Sequence, residues 1–165
     1  MPVVIQNILR FILLVLAQVL VLNNIQFLGY LNPYLYVLFI LALPVRVPRW
    51  ITLLLAFALG LTIDAFANTM GLHAFATVFM AFLRQPVIKL FTTVEEGTNP
   101  TPSFRTFGIP DYLKYAITLV LVHHVILFFM EAFSFVNVSI LLLKILLSSL
   151  ITILLIAAVQ LLKKE

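Results

Sequence analysis

Six long apolar runs, set off by short polar or Pro-containing punctuation, constrain this 165-residue chain more than any other feature. They cover about 6–27, 31–45, 50–66, 71–90, 112–133 and 138–162. A bilayer core of about 30 Å takes about 20 apolar residues in helical form. Lipid offers no partner to an open backbone, so each run is predicted to be a helix. The expected fold is all-α, a single polytopic membrane domain of six spans over 1–165. Composition agrees, with 64% hydrophobic and 10% charged residues and a mean hydropathy of +1.19. A soluble domain carries about 25% charged residues, so a free-standing soluble enzyme is excluded.

The second and third runs are short, which calls for local thinning or snorkelling ends. Pro33 suits the first turn of the second span, and Pro44 and Pro48 bracket the turn before the third. The first run, from Ile8 to about Leu22, ends in Asn23-Asn24 with no small-residue cleavage site and reads as a retained span.

Lys and Arg mark the cytoplasmic side. Arg10, Arg46, Arg49, Arg84, Lys89, Arg105, Lys114, Lys163 and Lys164 fall at alternate span ends, whereas the turns near 23–32, 65–70 and 132–139 carry none. An even number of spans then puts both termini and the long loop 92–110 in the cytoplasm. That loop, rich in Gly, Pro, Ser and Thr beside Glu95-Glu96, is expected to be irregular and either mobile or held by a partner. The net charge of +4 is scattered singly and builds no nucleic-acid stripe. No cysteine is present, so disulfides and thiolate chemistry drop out. The two halves share no pattern of Pro, Gly or charge, which leaves an inverted-repeat transporter unsupported.

Ionisable residues inside spans are costly and demand an account. They are Asp64, His73, His123, His124, Glu131 and Lys144. On the six-span map Asp64, His73, Glu131 and Lys144 share the outer leaflet, so Lys144 is expected to pair with Glu131 or Asp64. His124 and Glu131 lie seven apart and face one way, while His123 points about 100° aside. The alternatives are a structural network and an outward-facing substrate or proton site. An adjacent His pair without spaced carboxylates does not suit a metal, and no cofactor is expected. Asp64 is the lone intramembrane Asp, and Ser148-Ser149 lack a His at their expected depth, so no catalytic constellation emerges. Ala56, Gly60 and Asp64, at i, i+4 and i+8, mark a close helix-packing seam.

The stretch Gly60-Leu-Thr-Ile-Asp64-Ala-Phe-Ala-Asn-Thr-Met-Gly71-Leu-His73-Ala-Phe-Ala resembles the most recognisable segment of the rod-shape-determining protein MreD family. There a span ends in Gly-x3-Asp, a small polar turn follows, and Gly-Leu-x-Ala opens the next span. The match holds at Gly60, Asp64, Gly71, Leu72 and Ala74, while Asn68 and Thr69 stand where the family often has Gly and Ser. Gly29-Tyr-Leu-Asn-Pro33 looks like the family's entry into the second span. His123-His124 with Phe128, Glu131 and Phe133 looks like the fifth span of members from Bacteroidota.

The resemblance implies a non-enzymatic scaffold in the bacterial inner membrane that helps maintain cell shape. Its implied partners are a bitopic MreC-type protein, the MreB cytoskeleton, and a SEDS glycosyltransferase with a class B penicillin-binding protein, in contact with membrane lipid. The fold it implies is similar to the six-helix substrate-binding subunits of energy-coupling-factor transporters. A vitamin-type carrier is therefore the alternative, with an outward pocket lined by Asp64, His73, His124 and Glu131. The residues expected to matter, for partner binding or structure, are Gly60, Asp64, Gly71, His73, His124, Glu131 and Lys144.

Overall fold

The structure, a computed structural model, describes residues 3–25, 31–95, 97–133 and 137–162. Regular structure among them is helical, with no strand: α1 (Val3–Leu16), α2 (Leu38–Leu41), α3 (Arg49–Ala67), α4 (Leu72–Phe91), α5 (Phe104–Phe107), α6 (Ile109–Ala132) and α7 (Val138–Leu162). α1 continues through a π turn (Ala17–Val21) and a 3-10 turn (Leu22–Asn24). Five helical stretches are long and apolar enough to cross a membrane: Val4–Asn24, Arg49–Ala67, Leu72–Phe91, Ile109–Ala132 and Val138–Leu162. Their number indicates a multi-pass membrane protein. α3 packs on α4, α4 on α6 and α6 on α7. Gly29, Glu96, Lys163 and Lys164 lie outside the described residues.

The second apolar run corrects the sequence reading. It is no spanning helix: only a 3-10 turn at Leu35–Val37 and the four-residue α2 are helical, and Pro33 lies outside any helical turn. Residues 36–45 are nonetheless buried without a break, at the centre of the bundle. Hydropathy registered that burial correctly and could not register conformation. A non-helical segment survives at membrane depth only where protein groups replace the missing ladder, and here they do.

At its first end, the amides of Asn32 and Tyr34, outside any helix, turn to α7, and that of Tyr36, in the 3-10 turn, turns to Gln18. The Asn32 N–H donates to Ser148 Oγ (3.3 Å), the Tyr34 N–H to Thr152 Oγ1 (3.0 Å) and the Tyr36 N–H to Gln18 Oε1 (3.4 Å). Ser148 and Thr152 stand one turn apart on α7, so their spacing matches two residues of extended chain. Gln18 Nε2 donates in return to the Pro33 carbonyl (3.0 Å). The π turn carries Gln18, which is buried. One extra residue per turn rotates a side chain off the helix's regular face, a common use of such turns.

At the other end, the carbonyls of Leu41 to Val45 each meet a side-chain donor. Tyr115 Oη donates to Leu41 O (3.0 Å), Arg10 to Ala42 O (2.8 Å), Arg84 to Leu43 O and to Pro44 O (3.4 Å), and Gln85 to Val45 O (2.8 Å). Arg84 is thus fully buried, not a cytoplasmic surface marker as its charge suggested. The cation sits where carbonyl dipoles converge, and Tyr115 Oη accepts from its Nε (3.1 Å).

Pro86 lies inside α4 and cannot donate to the carbonyl of Phe82. The Arg49 guanidinium reaches that oxygen at 3.5 Å and covers the Phe82 ring at 4.1 Å. The 92–110 connection is also more ordered than expected. Ser103 and Thr106 form a capping box on α5, and Ile109 and Pro110 already belong to α6. Asn99 and Pro100 are held by the protein itself: the Val45 N–H donates to Pro100 O (3.0 Å) and the Arg46 N–H to Asn99 Oδ1 (2.8 Å).

Gln18→Leu removes both partners of the extended segment at α1 while keeping the apolar volume. The expected loss is about 1–2 kcal/mol, read as a lower thermal midpoint in detergent. An unchanged midpoint would mean that α7 alone holds the segment.

Candidate functional site

The Gly60–Ala74 hairpin explains most of the sequence motif. α3 ends on Asn68 in the left-handed conformation (φ 54°), and Gly71 repeats it (φ 81°) to start α4. The Asp64 carboxylate then reaches across the turn. Oδ1 accepts from the His73 N–H (3.0 Å) and the Thr69 hydroxyl, and Oδ2 accepts from the Ala74 N–H (2.9 Å). A buried carboxylate thereby caps first-turn amides of the next helix, where the helix dipole favours negative charge. Gly60 lies against the same amides: a Cβ there would sit 2.4 Å from Ala74 Cα and 2.7 Å from His73 O. Ala56, one turn earlier, is fully buried, as the packing seam requires.

Beside this hairpin opens a cavity of about 370 Å³. Its wall combines α1's last turns, the start of the 31–45 segment, the α3–α4 turn and α6. Polar lining comes from Asn23, Asn24, Asn32, Thr69, His73 and Glu131, with Tyr34 and Phe66 as aromatic faces. Of the four residues expected to line an outward pocket, His73 and Glu131 do so. Asp64 does not, because its oxygens are turned into the cap, and His124 does not, because it is buried deeper against α7.

The histidines separate into two groups. Tyr36 Oη lies 2.9 Å from His73 Nδ1 and 2.7 Å from His123 Nε2, and all three residues are buried. One phenolic proton faces two imidazole nitrogens, so one ring accepts from Tyr36 and the other donates to it. His123 Nδ1, at the inner end, has no partner among the described residues. His124 stands apart: its Nδ1 lies 2.9 Å from Val120 O, which places the proton of a neutral ring there, and its Nε2 lies 3.3 Å from Thr152 Oγ1.

The Thr152 contact revises the expected depth of Ser148-Ser149, since a His does lie within one turn of them. Ser148 Oγ, however, receives the Asn32 amide and Ser149 Oγ is buried without a partner among the described residues. Tyr34 sits amid these rings, with centroids 5.2 Å from His73, 5.4 Å from His124 and 5.9 Å from Phe128.

No protein-family model, curated protein or solved structure matches the chain.

Lys144 pairs with Glu131 at 3.0 Å and also covers the Phe128 ring at 4.5 Å. Between the two expected carboxylate partners it takes Glu131, since Asp64 is occupied. Sequence reasoning missed Gln18, Tyr34, Tyr36 and Thr152. Each is a polar group in an apolar run, and the one signal was spacing: Asn32 and Tyr34 are two apart, and the Ser148 and Thr152 that receive their amides are four apart, one helical turn.

Asp64→Ala leaves the His73 and Ala74 amides without their acceptor inside the protein. It is expected to cost about 2 kcal/mol, while Asp64→Asn, which keeps an acceptor oxygen, recovers part of that. Equal thermal midpoints for Asp64→Ala and wild type would exclude the capping role.

Proposed function

We propose that the chain is a non-enzymatic scaffold subunit of the bacterial cell-elongation complex in the inner membrane. It would hold an MreC-type single-span protein and, through it, link the MreB cytoskeleton to a SEDS glycosyltransferase and a class B penicillin-binding protein. The observation that carries this reading is the face of α1. Ile5, Leu9, Ile12, Leu16 and Leu20 repeat at helical spacing and are all exposed, and only 11% of that stretch is buried, against 44% for α4 and α6. A helix so little used by its own bundle offers a continuous apolar seam to one partner helix.

The topology of the proposal has six crossings and cytoplasmic termini. The 31–45 segment is the non-helical crossing. It starts at the cavity, where Asn32 meets Glu131 and Thr69 in the wall, and ends where Val45 joins Pro100 beside the exposed Arg46 and Arg49. That basic end is assigned to the cytoplasm. Because Asp64 is committed to its cap, the partner's anchor is assigned to α1.

Photo-crosslinkers at Leu9, Leu13 and Leu16 in native cells test this, with exposed Leu61 and Phe79 as background positions. Capture of an MreC-type chain from α1 alone supports the scaffold. Equal capture from all five positions, or none, overturns it. The alternative, a vitamin-type carrier similar in fold to energy-coupling-factor subunits, is favoured by one observation, the polar cavity. Recovery of paired ATPases with a coupling membrane subunit would establish that reading instead.

A further inference from the structure

Besides the side chains of Asn32 and Tyr34, four polar atoms on cavity-lining residues have no bond to another described residue. Asn23 accepts from Gln18 (2.9 Å) through Oδ1, which leaves its Nδ2 amide free. Asn24 donates through Nδ2 to Val19 O (3.2 Å) and Leu20 O (2.9 Å), which leaves Oδ1. His73 spends Nδ1 on Tyr36 and leaves Nε2, and Glu131 spends Oε2 on Lys144 and leaves Oε1. His73 is itself only 4% exposed, so its spare nitrogen opens onto the cavity or onto nothing.

The set mixes donors with acceptors. It holds no uncompensated charge, because the one carboxylate in the wall is already paired with an ammonium. A phosphate or carboxylate ligand would meet no free cation there, and a quaternary ammonium would compete with Lys144. A hydroxyl both donates and accepts, so several hydroxyls satisfy all four atoms at once. Tyr34 and Phe66 add apolar faces for the C–H side of such a group. The volume of about 370 Å³ lies within the range of small-ligand sites, about 300–1,000 Å³.

We propose that this cavity binds a neutral, hydroxyl-rich group about the size of one or two sugar rings. The group belongs either to a free carbohydrate or to the headgroup of a glycolipid. This goes beyond the scaffold reading and does not depend on it, since partner capture by α1 and ligand capture by the cavity are measured separately.

The three histidines supply the probe. The full chain, labelled with ¹⁵N-histidine, is placed in phosphatidylcholine nanodiscs and titrated with glucose and N-acetylglucosamine, then with choline and citrate. A second preparation carries monoglucosyl diacylglycerol in the nanodisc. His73 lines the cavity while His123 and His124 do not, so a neutral sugar is expected to move one imidazole's resonances, saturably, in the millimolar range. His73→Gln identifies them by their loss. A shift with free sugar assigns the soluble source, and a shift only with the glycolipid assigns the lipid source; either supports the proposal. Asn24→Trp, which fills the cavity from an exposed position, should abolish the shift. No shift in either arm overturns the proposal, as does an equal shift of all three rings or a larger one with choline or citrate. Because the titration reads wild-type protein, the proposal stays falsifiable if Asn24→Trp fails to fold.

Discussion

Gly60→Ala is expected to cost about 3 kcal/mol or more, at the top of the range for overpacked sites, and to strip the protein of monodisperse behaviour in detergent. The added methyl has nowhere to go: it would lie 2.4 Å from Ala74 Cα and 2.7 Å from both Ala74 N and His73 O. These are backbone atoms, so no rotamer change relieves them. α3 and α4 must separate, and separation pulls the Asp64 carboxylate away from the amides it caps. Two comparisons make the expectation sharp. Adding Ala74→Gly should not rescue Gly60→Ala, because the clash is not with the Ala74 side chain. Gly71→Ala meets open space and suffers only its left-handed backbone, about 1–2 kcal/mol. Thermal unfolding that ranks Gly71→Ala below Gly60→Ala in stability would reject the close-approach account.

Arg84→Leu should be nearly as damaging, at about 3 kcal/mol. Two effects oppose each other. Removing a fully buried cation recovers its desolvation cost, and Nη1 has no partner among the described residues to lose. Against this, Leu43 O loses its one side-chain donor in a buried site, while Pro44 O keeps the Val47 N–H and the Tyr115 hydroxyl keeps its bond to Leu41 O. An orphaned buried carbonyl costs about 1–3 kcal/mol, and a backbone carbonyl, unlike a side chain, cannot be substituted away. Arg84→Lys should restore little, since a single ammonium on a flexible stem cannot span three acceptors on two elements. The readout is the thermal midpoint together with protease cleavage after the 43–48 turn. If Arg84→Lys matches wild type in both, the carbonyls need charge alone and not a planar fork.

Much of the helical framework was legible. Apolar runs located five spanning stretches to within a few residues, and 138–162 matched α7 end to end. The small-residue seam at Ala56, Gly60 and Asp64 was legible for a local reason: helix neighbours at i and i+4 share a face whatever the rest of the chain does. The 31–45 segment was not legible, because its conformation is decided by side chains far away. Gln18, Arg84, Tyr115, Ser148 and Thr152 bond its backbone from four other elements, and nothing local to Pro33 or Tyr36 announces them. The polar residues singled out in advance met a divided fate. Asp64 and Gly60 serve the hairpin, His73 and Glu131 reach the cavity, Lys144 neutralises Glu131, and His124 turns to α7.

The same long-distance bonding sets an order of events at the ribosome. The amides of Asn32 and Tyr34 find their acceptors 116 and 118 residues downstream, on α7. At about 5–20 residues per second, that is roughly 6–24 s of synthesis during which the segment has emerged and its partners do not exist. α1 and the α3–α4 hairpin can be released into lipid as they are completed, whereas the segment between them must wait, sheltered by the insertion machinery or left outside the bilayer. Biogenesis of this protein therefore includes drawing an early piece of chain against a wall of the bundle that arrives much later, and chains truncated before α7 should be recognised as unfinished by membrane quality control.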